Sequence, residues 1–567
     1  MRTTGPIVKL IFAVSVACSS LWSQTTSNPS EIDQLKSLVG AQQKALEQQQ
    51  DEIQKLQSAL AEQHQLLIGV VQNGSNGPKL MPAVDRTVDL RASDNSFPAP
   101  QAPRADQNLP VNPNPTPEEH EAVEEELQRG PEIADVTPDT PAVQLGPAKV
   151  RLIGYPAMTM VWRQTNSGGN VGTSFANVPF NNTVPGTTSE YRISPQSTRL
   201  AIRVDADLNT SQAAGYFEMD FGGSPVSDNI AVTSSSYTFR LRQAWFNWTN
   251  TKWDMTGGQA FSLMTPSKKG ITPWPGDVAT TQVIDTNYVA GLVQGRYPQF
   301  RLVYHASKAA SYGFSLENPE QQIGNNVMFP SALSSVLVTQ YNNGSSSVSG
   351  LGLKVPNMTP DFVFKGSWDG KMGERAIHFD VGTLMRVFRS YNGASVSGKD
   401  HAFGWGVNAN LLAEIAKGYR LVVQTYASDG GGRYIGGLAP DVVVRASGNI
   451  SPIHSYSWVG GLEIAPNKVT GLYMYYSGVY AHRNATLNSD GTCCVGFGFL
   501  GANTNADRLI EEVTLGYSRV VWKHEGLGTV QWGGQYAYVW LYPWVRGSGP
   551  GSAQANMVFG QLRYNLP

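Results

Sequence analysis

From about Val150 to Pro567 the chain alternates apolar and polar residues through one short run after another. Ile202, Val204, Ala206 and Leu208 interleave with Arg203, Asp205 and Asp207; Phe217, Met219 and Phe221 interleave with Tyr216, Glu218 and Asp220. A period of two sends one set of side chains to each face of a β-strand. Here one set is greasy and the other is often charged. A water-soluble sheet with a greasy face needs a second layer to cover it. A sheet with lipid outside and water inside needs none. No apolar run reaches the ~20 residues of a membrane-spanning helix. The pattern predicts an all-β transmembrane barrel of antiparallel strands, occupying residues 150–567.

Sixteen strands are expected, at 150–163, 197–208, 213–223, 237–248, 252–260, 289–306, 312–317, 360–370, 375–390, 403–415, 419–428, 455–465, 469–482, 509–523, 529–544 and 554–566. Short connections such as Asn209–Gln212, Asn250–Lys252 and Ser307–Ser311 alternate with long ones at 164–196, 261–288, 318–359 and 483–508. Outer-membrane barrels have this habit, and an even strand count brings both termini to the short-turn side. All 23 Tyr and twelve of the 13 Trp follow residue 150, as aromatic girdles at two membrane interfaces would require.

The first 149 residues are of another kind. Residues 1–23 read as a secretory signal peptide, with Arg2 and Lys9 flanking the short apolar run Leu10–Ala17. Lipid attachment at Cys18 is the alternative, weakened by Ser15 where Leu is usual. Residues 32–71 read as a coiled coil that would oligomerise in the periplasm. Ile32, Val39, Leu46, Ile53, Leu60 and Leu67 fill position a; Leu35 and Leu56 share position d with Gln42, Gln49, Gln63 and Val70. The mixed positions leave dimer and trimer open. Residues 72–149 hold 13 Pro and hardly an aromatic, which makes them a linker. Within it, Glu118–Arg129 (EEHEAVEEELQR) is an acidic run.

The net charge of −2 hides an asymmetry: residues 1–149 carry −8 and residues 150–567 carry +6. No Lys/Arg-rich run exists to suggest nucleic-acid binding. The three Cys build no disulfide framework. The adjacent Cys493 and Cys494 are either two small loop residues or a vicinal disulfide. Nothing calls for a cofactor or a metal.

A channel needs a narrowing with fixed charges rather than a nucleophile. The long loop Phe261–Tyr288 offers Lys268, Lys269, Asp277 and Asp285, stiffened by Pro266, Pro273 and Pro275. Facing it, the alternation turns Arg199, Arg203, Arg240, Arg242, Lys365, Arg386, Arg420 and Arg563 inward, with Asp205, Asp207, Glu218, Asp220 and Asp380. A basic ladder beside an acidic one would set up a transverse field favouring anions. The other expectation for these residues is salt-bridge bracing of the wall, and about half of the Arg are assigned to it.

RLRQAWFNWTNTKWDMTGGQAFSLMTP (Arg240–Pro266) resembles the fourth and fifth strands of DcaP-like outer-membrane porins, where an Arg-x-Arg strand leads through G-Q-x-[FWY]-S into the constriction loop. YPQFRLVYH (Tyr297–His305), FSLENPE (Phe314–Glu320) and STRLAIRVDADL (Ser197–Leu208) resemble neighbouring strands of that family. The resemblance implies a homotrimer in the outer membrane of a diderm bacterium, with one pore per chain, a periplasmic coiled coil and a preference for small anions such as dicarboxylates. It carries over to Arg199, Arg203, Arg240 and Arg242 as lumen residues. The end of the chain departs from the pattern: Tyr564 and Leu566 keep the alternation, but the usual terminal aromatic is Pro567.

Three alternatives remain. A sugar-selective porin would line its path with some of the plentiful Tyr and Trp. An envelope tether would use the barrel mainly as an anchor. A barrel enzyme would need a catalytic constellation, yet the eight His are scattered and no G-x-S-x-G occurs.

Overall fold

The computed structural model describes residues 140–567 apart from 168–169, 224–234, 275–277, 281–283, 285–288, 325–326, 342–357, 392–397, 499–505, 525 and 546–551. The signal peptide, the coiled coil and linker residues 72–139 lie outside the described residues. Among those described, the chain forms β1 (Val143–Leu145), β2 (Ala148–Tyr155), β3 (Ala157–Arg163), β4 (Glu190–Ser194), β5 (Arg199–Asp207), β6 (Gln212–Asp220), β7 (Arg240–Thr249) and β8 (Trp253–Phe261). Then come β9 (Arg296–His305), β10 (Ala310–Glu317), β11 (Val327–Met328), β12 (Asp361–Met372), β13 (Arg375–Tyr391), β14 (Lys399–Ala416), β15 (Tyr419–Asp429) and β16 (Val442–Val444). The last eight are β17 (Ile450–Pro452), β18 (His454–Asn467), β19 (Thr470–Ala481), β20 (Asn484–Thr486), β21 (Val495–Phe497), β22 (Asp507–His524), β23 (Gly528–Pro543) and β24 (Ala553–Asn565).

Nineteen of these strands share one antiparallel sheet. The expected number was sixteen, and the difference has local causes. Pro156 has no N–H and interrupts one run, giving β2 and β3. β4 is an added strand inside the connection expected at 164–196, and Pro195 separates it from β5. β1 folds back on β2 through Gly146 at φ 59° and begins ahead of the expected Val150. The pairs β16–β17, β20–β21 and β11–β21 are short ladders within long connections, too brief to show a period of two. The other long strands fall on the expected spans.

Pairing follows the chain. From β5 to β10, and on through β12, β13, β14, β15, β18, β19, β22, β23 and β24, each of these strands pairs with the next. β2 pairs with β5, while β3 pairs with β4 and with β24. Tyr564 and Leu566 donate backbone hydrogen bonds to the carbonyls of Pro156 (3.1 Å) and Gly154 (2.9 Å). Tight turns join β5–β6, β7–β8, β9–β10, β12–β13, β14–β15, β18–β19 and β22–β23, all at one end of the sheet. Asn209 supplies a positive φ of 61° in the first of these turns, and Gly373 and Gly418 do so in later ones.

The two faces reverse the order of a soluble sheet. On β9, Phe300 (70% exposed), Leu302 and Tyr304 point outward, whereas Gln299 and Arg301 are buried. Along β13, Phe379 and Met385 are exposed, while His378, Asp380 and Arg386 are buried. Apolar-out and charged-in suits a hydrocarbon medium outside. An arginine at Phe300, halfway along its strand, is therefore expected to cost about 2–4 kcal/mol. Heat-dependent migration of the folded protein in detergent gels would show the loss for Phe300→Arg, and an unchanged transition would remove the lipid-facing assignment.

Candidate functional site

Charge density on the inner face is high along β5–β7. A β-bulge sits there: Glu218 pairs with Gln243 and Met219 with Leu241, which leaves Arg242 as the extra residue. The bulge turns both Arg242 and Gln243 inward, and both are buried. Arg242 donates to Glu218, and its Nη1 lies 3.0 Å from Asp220. Arg240, nearly half exposed, grips the same Asp220 at 2.7 and 3.0 Å. Arg199 lies 3.9 Å from Glu218, which also accepts the Tyr216 hydroxyl at 2.8 Å. Arg203 reaches Asp205 at 2.9 Å and covers the Trp274 ring at 3.9 Å; Arg151 also holds Asp205, at 2.7 Å. Asp207 accepts from Gln212 at the adjoining turn. The structure interleaves the two signs. Paired charges of this kind brace a wall and leave little net field.

The loop after β8 folds across the inner face. Its start is held by Glu317 of β10, which accepts from Leu263 N at 2.8 Å and from Ser262 Oγ. Lys365 of β12 donates to Thr265 O (2.8 Å) and Ser267 Oγ (2.6 Å). Asp380 of β13 accepts from Ser267 N at 3.0 Å, and Asn410 of β14 donates to Ser267 O at 3.0 Å. Further on, Gly270 N donates to Asp369 (3.0 Å), and Ala290 N to Glu512 of β22 (2.7 Å). Lys365 and Asp380, expected in the open lumen, anchor this segment. One loop reaching β10, β12, β13, β14 and β22 requires a sheet that curls around it.

Gly291, at φ +89°, passes so near β19 that an added Cβ would lie 2.3 Å from the Gly478 carbonyl. Gly291→Ala is expected to loosen this docking by about 1–3 kcal/mol. The heat-dependent transition in detergent gels would fall for the variant; an unchanged transition would contradict the assignment.

Arg386 was expected at the pore, and the structure places it in a clasp between wall and loop. It lies 3.0 Å from Asp361 and 2.9 Å from Asp441, and donates to Gly430 O at 2.7 Å. Arg433 approaches Asp361 at 3.5 Å and covers the Tyr297 ring at 3.8 Å. Tyr434 donates to the same Asp361 at 3.1 Å. Together they fix residues 430–453, whose Val442, Val443 and Val444 are buried with Leu263 and Met264 in one apolar cluster. Arg420 is bound to Glu463, and Arg563 donates to Gln531 at 2.7 Å over the Tyr155 ring.

Lys268 and Lys269 have a different setting. They line a cavity of about 710 Å³ at the short-turn end, together with Lys252, Lys308, His305 and Asp369. Lys252, Lys269 and Lys308 are exposed, while Lys268 is buried. Sequence reasoning missed Lys252 and Lys308, although each sits in a turn it identified. Asp277 and Asp285 lie outside the described residues. Elsewhere, the exposed loop 488–494 carries a disulfide between Cys493 and Cys494.

No protein-family model matches the sequence, and no curated protein does. Among solved structures, the outer-membrane channel DcaP of Acinetobacter baumannii superposes with a TM-score of 0.52 at 15% identity, over 75% of this chain and 99% of that one. The chain has the fold of that channel. An anion-selective porin from Comamonas acidovorans matches at TM-score 0.41 and 12% identity, over 74% and 100% of the two chains. A loop-deleted OmpT from Vibrio cholerae matches at 0.37 and 11%, over 74% and 99%.

Proposed function

We propose that this chain is an outer-membrane porin: a closed barrel of sixteen staves that passes small hydrophilic solutes by passive diffusion and favours anions. The reversed faces carry the reading, because a sheet greasy outside and charged inside, with a loop folded across its interior, is the construction of a water-filled membrane pore. Counting β2–β3 and β4–β5 as one stave each and leaving out β1 gives sixteen, and the pairing of β24 with β3 supports a sheet that closes on itself. The DcaP fold supports the outer-membrane location. The lysine-lined cavity supports the anion bias better than the paired Arg of the wall do. We assign the assembly as a homotrimer, with residues 32–71 as its periplasmic coiled coil.

A sugar-conducting variant of the same reading draws on one observation. Tyr216 stacks on Trp245 at 5.3 Å, and Trp274 meets Trp245 edge-on at 4.8 Å, all on the inner side. Planar-bilayer reversal potentials under a salt gradient decide between the two. A shift towards the anion potential supports the first reading. Zero selectivity with sugar-induced swelling of proteoliposomes supports the second, and absence of any conductance removes both.

A further inference from the structure

We propose that His378 is a positioning residue for the loop after β8: a cation set between two carboxylates, each of which holds one stretch of that loop to the wall. This rests on the porin reading, in which the loop narrows the pore, and adds what keeps the loop in place.

The pleat supplies the arrangement. His378 of β13 lies directly opposite Asp369 of β12, and Asp380 follows two residues along the same face. His378 Nδ1 is 2.8 Å from Asp369 Oδ1, and its Nε2 is 3.0 Å from Asp380 Oδ2. Lys365 Nζ is 3.4 Å from the same Asp380 oxygen. Lys365, His378 and Asp380 are buried, and Asp369 is half-buried at the edge of the lysine-lined cavity. Hydrogen bonds between charged groups are about twice as strong as neutral ones, and burial keeps water from competing for them.

Each carboxylate has a second task in the loop. Asp380 Oδ2 accepts the Ser267 N–H at 3.0 Å, and Asp369 Oδ2 accepts the Gly270 N–H at 3.0 Å. Gly270 turns the chain there at φ 60°, a conformation that favours glycine. Two anchor points three residues apart in the loop thus meet on one imidazole.

The partners dictate the protonation state. An ionised carboxylate only accepts hydrogen bonds, so an imidazole that faces one with each nitrogen carries a proton on both. A neutral ring would present a lone pair to one of them and give up that contact. His305 is built differently: Nε2 lies 3.0 Å from Asp254, but Nδ1 lies 2.9 Å from the Ser311 hydroxyl, which can donate or accept. A neutral ring satisfies both partners there. Around His378 two cations, Lys365 and His378, offset two anions, Asp369 and Asp380. Removing the imidazolium sets the two carboxylates against each other, with Asp380 shut off from water.

The test compares His378→Gln, which keeps the reach without the charge, with His378→Lys, which restores a cation and its donors. Folded full-length protein in detergent micelles is exposed to trypsin, and cleavage after Lys268 or Lys269 is followed by mass spectrometry. Cleavage requires the loop to leave the wall, so its rate follows the open population. The rate is expected to rise about tenfold for His378→Gln, the population change that one hydrogen bond to a charged group supports, and to stay near wild type for His378→Lys. Asp369→Asn, at the half-buried end, is the milder variant: it is expected to raise cleavage by itself and to add little on top of His378→Gln. Proteoliposome swelling by a trisaccharide is expected to be faster for His378→Gln than for wild type or His378→Lys. Unchanged cleavage of His378→Gln overturns the proposal. Equal cleavage of the Gln and Lys variants also overturns it, because a ring that only fills space needs no charge, and so do additive effects of His378→Gln and Asp369→Asn. A wild-type protein that passes no solute fails the porin reading instead, while the order of cleavage still decides the role of His378.

Discussion

Arg386→Ala is expected to destabilise the folded protein by about 3–5 kcal/mol, the range for removing one partner of a buried ion pair. The Arg386 side chain is 1% exposed, and the carboxylates of Asp361 and Asp441 beside it are equally shut off from water. Truncation would strand both, with Arg433 as the remaining cation near Asp361. Residues 430–453 would lose the bond from Arg386 to Gly430 O as well. The heat-modification midpoint in detergent gels is the readout, and open-channel noise should rise as the loop detaches from the wall. Arg240→Ala is the control: its half-exposed guanidinium is worth no more than about 1 kcal/mol. Equal shifts for the two variants would refute the clasp.

The second large effect concerns selectivity. Changing Lys252, Lys269 and Lys308 together to Gln removes three positive charges from the cavity wall and leaves buried Lys268 in place. The ratio of anion to cation permeability is expected to drop by about tenfold at low salt, since like charges lining a confined mouth raise the local concentration of counter-ions by that order or more. The difference should shrink at 1 M salt. Changing Arg199 or Arg242 would be a poor test of selectivity, because each is committed to a wall carboxylate. A triple variant with wild-type reversal potential at low salt would move the selectivity determinant elsewhere.

The strand spans were legible because an apolar outer face and a charged inner face impose a period of two on nearly every residue. That constraint is local, so it survives without tertiary information. The pairing of charges was less legible. Alternation says that Arg242 and Glu218 both face inward, but a one-residue bulge decides that Arg242 falls between Glu218 and Asp220. Nor does alternation extend into loops. The clasp of Arg386 depends on Asp441 and Arg433, in a connection whose fold follows packing of Val442–Val444 rather than any repeat. Lys252 and Lys308 were invisible for a related reason. Each is an ordinary turn residue until the loop from β8 brings Lys268 and Lys269 down beside it.

The contact between β3 and β24 differs in kind from the hairpins that make up most of the sheet. Gln561 donates to Thr159 across 402 residues of sequence. On the proposed porin reading, β3 and the growing front are both open edges while the chain enters the bilayer, and unpaired N–H and C=O groups in hydrocarbon are costly. Those edges can meet only after β24 has been delivered. The same reading makes the last thirteen-residue strand the one that completes the seam, and weakening it is expected to slow insertion and lower the amount of protein in the membrane.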